Sequence, residues 1–261
     1  MCAVSALREE EVSEDSLLGG AVTLRQPLRG YRAAIDPVFL AAAVAARAGE
    51  YVLDAGAGVG AVSLCLARRV DGVIVTGLEC REELAELAGE NAIRNGLQDR
   101  VRVVTGDILD PPRALQPGSF HHVAVNPPFL EAYSADPPPD SAKRQANVDG
   151  AARLGDWVSF ALVMAAKGGG ITFIHRAERL GELLCALEGK AGGIVVFPLW
   201  PRAGKAAKRV LVSARKGSSA PLRAAPGLVL HAARADGADG ADGAFTSEAE
   251  AVLRGGRGLE L

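Results

Sequence analysis

The sequence predicts an open, doubly wound α/β sheet of seven strands, mostly parallel, with the last strand antiparallel. Three observations carry that expectation. Short apolar runs alternate with helix-period segments from Tyr51 to Ala214. One strand–helix junction is the glycine turn Asp54-Ala-Gly-Ala-Gly-Val-Gly60. Another run, His121–Val125, ends abruptly in Asn126-Pro127-Pro128-Phe129, because neither proline can donate to a ladder. Both junctions sit where strands end, the edge at which open α/β sheets bind ligands.

The chain has 261 residues, 49% of them hydrophobic, enough to bury a sizeable core. Its formal charge of −2 hides an uneven distribution. Residues 1–15 hold five acids and one base, so the rest carries 28 bases and 26 acids and is slightly basic, which permits an RNA partner. Cys2, Cys65, Cys80 and Cys185 are not spaced as metal ligands, and no metal is expected. Reduced thiols, the lack of a membrane-length apolar run and the absence of a signal-peptide core suggest a cytoplasmic protein with no membrane partner.

Taken in order, residues 1–20 are acidic and polar, end in Gly19-Gly20, and are expected to be a disordered tail. The remainder, 21–261, reads as a single domain, opening with an N-terminal segment over 21–50. In that segment Asp36 is expected to cap a helix over Val38–Arg47, with Pro37 at its first position. Tyr51–Leu53 is the first strand of the alternation, and Ala61–Arg69 is the helix after the glycine turn. Val73–Leu78 is the second strand, followed by Glu79 and a helix over Arg81–Asn95. Val101–Thr105, then Asp107, and His121–Val125 complete the first four strands. His121-His122 reads as an exposed strand start and not a metal pair.

Leu130–Gly150 is a long irregular segment and a candidate substrate lid carrying Lys143 and Arg144. A helix over Leu154–Lys167 is expected to stop at Gly168-Gly169-Gly170 before the strand Ile171–Ile174. Glu178–Glu188 is helical, and Ile194–Leu199 and Arg209–Ala214 are the last two strands. The loop between those two is too short for a parallel crossover, so they pair antiparallel. That loop carries Arg202, Lys205 and Lys208 and ends at Arg209, either an RNA-binding group or a solvated loop. Residues 235–244 repeat Ala-Asp-Gly and read as a flexible loop, and Ser247 with Glu250 reads as the capping box of a last helix to about Arg254.

The two junctions suggest chemistry. Strand, glycine turn and helix present backbone amides to a ligand, and Gly56, Gly58 and Gly60 allow close approach. An acid such as Glu79 after the second strand can accept from both hydroxyls of a ribose. The loop by itself also satisfies a dinucleotide fingerprint, so a nicotinamide dehydrogenase is the rival reading. At the corner, an amide oxygen and a backbone carbonyl together accept from a planar amino group, and Phe129 offers a face for stacking.

The ordered set Asp54, Gly56, Glu79, Asp107 and Asn-Pro-Pro-Phe resembles class I methyltransferases that use S-adenosylmethionine. The resemblance implies that Asp54 binds the cofactor's amino-acid part and that Asp107 and Ile108 hold its adenine. It further implies that Asn126 and the Pro127 carbonyl hold the target amine beside the cofactor while Phe129 stacks on the acceptor. Leu24–Leu40 and Phe245–Leu261 resemble the ends of bacterial valine-tRNA adenine-N6 methyltransferases, so the resemblance implies an adenine N6 amine in tRNA as acceptor. The Ala-Asp-Gly stretch and the low aromatic content depart from that family. A release-factor glutamine and a ribosomal RNA guanine N2 amine are the alternative acceptors, although the segment before Asp54 is short for a release-factor enzyme's helical substrate domain.

Overall fold

The computed structural model describes residues 9–29, 32–128, 152–232 and 243–261. Its first elements form an antiparallel hairpin, β1 (Val12–Leu17) with β2 (Val22–Pro27). The disorder expected over 1–20 therefore does not hold for residues 9–20. The acids there meet cations from later in the chain. Asp15 Oδ2 accepts from Arg32 Nη2 (2.6 Å) and Gln26 Nε2 (2.9 Å), and Glu14 lies 3.9 Å from Arg94. Composition could not show that these charges are paired.

Helix α1 (Asp36–Ala43) precedes the alternation β3 (Tyr51–Ala55), α2 (Ala61–Arg69), β4 (Ile74–Glu79), α3 (Glu82–Arg94), β5 (Val101–Thr105) and β6 (Phe120–Val125). After 129–151 come α4 (Leu154–Met164), β7 (Ala165–Arg176), α5 (Leu180–Leu187), β8 (Ala191–Trp200) and β9 (Arg209–Lys216). The two-residue strands β10 (Arg223–Ala224) and β11 (Leu228–Val229) and the helix α6 (Ser247–Leu253) complete the described elements. The seven anticipated strands lie in the order β5-β4-β3-β6-β7-β9-β8, with β9 antiparallel to both its neighbours. Pairing of β10 and β11 along β8 extends this to nine strands, two more than the sequence suggested.

Each central strand is apolar on both faces because helices cover both. One apolar cluster packs α1, α2, α3 and α6 against the sheet, and the second packs α4 and α5. The chain winds outward from β3 through β4 to β5, then returns to β6 on the other side of β3. This reversal creates a switch point between β3 and β6, with Ala55 paired to Val125 at its rim.

Several boundaries differ from expectation for local reasons. Asp36 is the first residue of α1 and not its cap; its carboxylate accepts from Arg209 Nε (2.9 Å) instead. Thr246, one residue before Ser247, caps α6 by accepting from the Ala249 amide (3.2 Å). The run Gly168-Gly169-Gly170 lies inside β7 and does not terminate α4. A Cβ on Gly170 would stand 2.6 Å from His122 Nδ1, so the glycine makes room for that ring beside a register shift in β6–β7. Residues 235–242 and the segment 130–151, with its lid reading, lie outside the described residues.

The hairpin is joined to the sheet layer by two side-chain amides, Asn91 on α3 and Asn95 just past its end. Asn95 accepts from the Thr23 amide (2.9 Å) and donates to the Thr23 carbonyl (2.7 Å). Asn91, one turn earlier, makes the same pair of bonds with Arg25, both 2.9 Å, and also donates to the Val59 carbonyl in the glycine turn (3.0 Å). Two side chains at i and i+4 thus imitate the edge of a strand along β2. Asn91→Ala leaves buried backbone groups of Arg25 and Val59 unpaired. The expected loss, read by urea denaturation, is about 2–4 kcal/mol.

Candidate cofactor and acceptor site

Asp54 stands near the end of β3, flanked by β4 and β6, and is 1% exposed. Its Oδ2 accepts from the backbone amide (3.1 Å) and hydroxyl (2.7 Å) of Ser63, in the first turn of α2. Asp54 therefore does cap the following helix, whose own N-cap, Gly60, has no side chain. Its other oxygen, Oδ1, is buried with no hydrogen-bond partner among the described residues. Burial pushes the carboxyl up to about 6, the Glu79 charge adds to this, and the two Ser63 bonds oppose it. Ser63 was not singled out from sequence; its place three positions into a helix opened by glycine was the available signal.

The three glycines have different tasks, and all have positive φ: +74° at Gly56, +55° at Gly58 and +86° at Gly60. The amides of Gly56 and Ala57 both donate to the Leu78 carbonyl at 2.9 Å, fixing the turn over the end of β4. A Cβ on Gly60 would come 3.3 Å from Ala88 Cβ, so this glycine admits α3. A Cβ on Gly58 would meet nothing within 4 Å, leaving the turn open at that point. A Cβ on Gly56 would stand 2.8 Å from the Trp157 ring. Trp157 is set there by the first turn of α4, where the Arg153 amide donates to Asp156 Oδ2 (2.7 Å). The sequence reading missed this residue because Trp157 and Gly56 are far apart in the chain.

Glu79 closes the far side of the turn. Its Oε2 accepts from the Gly58 amide (2.8 Å) and its Oε1 from the Arg81 amide (3.1 Å). Oε1 also accepts from the Cys80 thiol (3.6 Å), while Oε2 retains capacity for a second donor. Exposed Asp107 follows β5, its Oδ1 accepting from the Leu109 amide (2.9 Å), while Ile108 is buried beside it. Across the switch point, half-buried Asn126 follows Val125, the partner of Ala55, just as Gly56 follows Ala55. Pro127 is buried and Pro128 exposed. Phe129, Lys143 and Arg144 lie outside the described residues.

The loop after β8 leaves from the same edge. Val125 pairs with Phe173, which pairs with Val212, and Arg176 pairs with Arg209 three residues beyond. Lys205 and Lys208 are exposed and Arg202 is half-buried. Arg209 is committed to Asp36, so it ties α1 to β9. Beside it, His175 is buried at the end of β7 and accepts from the Arg176 amide (2.8 Å). Burial, together with Arg179, Arg176 and Arg209, pushes the His175 imidazole down to about 4. Arg176 and Arg179 lie at the same edge, each paired with an acid, Glu178 and Glu182. His122 is at the opposite edge, 3.1 Å from Glu50. Among the described residues there is no group of three or more His, Cys, Asp or Glu placed to hold a metal, and no helix long and apolar enough to cross a membrane.

These residues fit S-adenosylmethionine. A buried carboxylate oxygen without a partner suits a cationic amino group, an open turn at Gly58 suits close approach, and Glu79 suits ribose. A dinucleotide would instead bring its pyrophosphate to the buried Asp54 carboxylate.

Comparison with known proteins agrees with this geometry. Residues 35–138 match the methyltransferase small domain. A protein of Actinobacillus pleuropneumoniae serotype 5b named tRNA1(Val) (adenine(37)-N6)-methyltransferase is 30% identical over 191 residues, covering 68% of this chain and 74% of the relative. A release factor glutamine methyltransferase of Thermosynechococcus vestitus is 36% identical over 78 residues, 30% of this chain and 26% of the relative. The chain also spans only about half the length, 52%, of the Porphyromonas gingivalis relatives it matches. The solved structure of Agrobacterium tumefaciens Atu636, described as a predicted O-methyltransferase, has a TM-score of 0.69 at 28% identity, covering 86% of this chain and 98% of that one. The chain belongs to the class I S-adenosylmethionine-dependent methyltransferases, in the same family as the Actinobacillus relative.

The buried Asp54 gives a pH test. Its folded value, about 6, lies above the ordinary aspartate value of 3.8, so folding favours the protonated form. Its stabilising contribution is full below the unfolded value and is lost as pH rises through the folded one, at a cost of about 3 kcal/mol. Asp54→Asn is expected to be more stable than wild type at pH 8 by up to that amount, with the difference closing towards pH 4. Denaturation midpoints across pH check it, and the same variant is expected to lose S-adenosylhomocysteine binding in calorimetry.

Proposed function

We propose that the chain is an N-methyltransferase that uses S-adenosylmethionine and acts on the exocyclic N6 amine of an adenine in tRNA, a role that places it in the cytoplasm. The observation that carries this reading is the pairing of a cradle with a corner. Asp54 and the open glycine turn lie on one side of the switch point, and Asn126-Pro127 lies on the other, in adjacent strands. Asp54, Gly56, Gly58 and Gly60 would hold the amino-acid end of the cofactor, Glu79 the ribose, and Asp107 with Ile108 the adenine. When bound, the cofactor supplies a methyl group activated by a sulfonium.

An aromatic amine is a poor nucleophile because its lone pair is delocalised into the ring. Asn126 Oδ1 and the Pro127 carbonyl would accept its two N–H groups and turn the nitrogen lone pair toward the methyl donor. Holding the reactants at that alignment is worth roughly 7–11 kcal/mol at best. The proton leaves to water, and Phe129 would stack on the acceptor base. The 30% identical relative named for adenine in tRNA1(Val) supports the choice of acceptor. Lys143 and Arg144 with Arg202, Lys205 and Lys208 would neutralise phosphates, while Arg209 stays with Asp36.

A labelled-methyl assay on total tRNA, ribosomal RNA and release factors tests the acceptor. Transfer to tRNA is expected, and transfer to a release factor alone would overturn it. Asn126→Ala is expected to abolish transfer while leaving S-adenosylhomocysteine affinity within about threefold of wild type, since hydrogen bonds to the acceptor amine are what it removes. For the interface, tRNA affinity should fall steeply with salt. Replacing both Lys205 and Lys208 with Ala should flatten that slope by about one unit per lost phosphate contact. An unchanged slope would remove this loop from the RNA surface.

A further inference from the structure

The glycine turn has two buried polar atoms that no described residue satisfies, and they are opposite in kind. Asp54 Oδ1 can only accept while ionised, and Trp157 Nε1 can only donate. They approach the turn from different layers of the fold. Asp54 comes up through β3, two residues before Gly56. Trp157 comes from α4 and lays its six-membered ring on Gly56, with Cη2, Cζ3 and Cζ2 at 2.8, 3.1 and 4.0 Å from the Cβ that position lacks. Packing of the ring explains why position 56 is glycine. It does not explain a buried N–H left without an acceptor, which carries a cost that an apolar side chain would avoid.

An α-amino acid carries an ammonium and a carboxylate on one carbon. A buried acceptor and a buried donor at one turn are the complement of that pair. We propose that Trp157 is a specificity-determining residue of the cofactor site, donating its indole N–H to the carboxylate of the cofactor's amino-acid part while Asp54 accepts from the ammonium. The inference rests on the reading of this turn as an S-adenosylmethionine site. It adds a recognised group, the carboxylate, and a residue to recognise it. Because both ligands keep the ammonium that Asp54 accepts from, it is the indole that distinguishes a full amino-acid end from one that has lost its carboxylate.

The test compares S-adenosylmethionine with decarboxylated S-adenosylmethionine, which keeps the sulfonium, ribose, adenine and ammonium. Titration calorimetry on wild type and Trp157→Phe gives four affinities. Trp157→Phe keeps an aromatic ring on α4, removes the donor and shortens the reach toward Gly56, a change both compounds feel alike. The expected result is a loss of about tenfold or more for S-adenosylmethionine, the usual size for a hydrogen bond to a charged group. The decarboxylated compound should bind the variant and wild type within about twofold, since its missing carboxylate has no bond to lose. Equal losses for both compounds, or no loss for either, would overturn the proposal. If wild type binds neither compound, the cofactor reading itself fails.

A second measurement does not depend on the Phe variant folding. Trp200 is the other tryptophan, and its Nε1 donates to the Pro226 carbonyl (3.1 Å) away from the turn. In a Trp200→Phe protein, emission reports Trp157 alone. S-adenosylmethionine should shift it, and the decarboxylated compound should shift it much less. Identical responses would count against the carboxylate contact.

Discussion

The C-terminal edge of the sheet depends on keeping one carboxylate dry. Asp54 sits on the central strand, so β4 and β6 shut it off from either side and the glycine turn closes over it. An ionised group in such a place is costly unless it is paired. Ser63 satisfies one oxygen, and through it the start of α2 is fixed to the end of β3. The second oxygen keeps the site receptive to a cation. One oxygen of the side chain thus serves anchorage, and the other has no partner among the described residues.

The rest of the turn shares tasks in the same way. Leu78 holds two of its amides, Glu79 a third, and Asn91 one of its carbonyls. Two of these partners end β4 and the third is on α3, so the turn is held from two sides while Gly58 stays open. The acceptor corner needs less support. Two prolines stiffen the chain where β6 ends, and the pairing of β3 with β6 sets its height relative to the turn.

Much of this was legible in local sequence. The seven strands, their alternation with helices and the antiparallel β9 followed from apolar periodicity and loop length. Asp54, Glu79, Asp107 and Asn126 all occur at strand ends, which sequence marks well. What sequence hid is mostly what distant residues do to one another. Trp157 looked like one more apolar residue of a helix. Arg209 looked like a free cation of a basic loop, yet Asp36, 173 positions away, claims it. The acidic start of the chain looked unfoldable because its partners Arg32 and Arg94 lie elsewhere. Gly168-Gly169-Gly170 read as a stop because periodicity cannot show that His122 needs the space beside β7.

Asn91 touches β2 with one set of bonds and the glycine turn with another, and it is wholly buried. The amides of Thr23 and Arg25 can exchange their hydrogens with solvent only when β2 parts from α3. When Asn91 moves with that opening, it takes the support from under Val59. A molecule seated in the turn resists the loss of that support, so it slows the opening as well. The exchange rate of two hydrogens in an N-terminal hairpin is thereby a gauge of occupancy in a site they never touch.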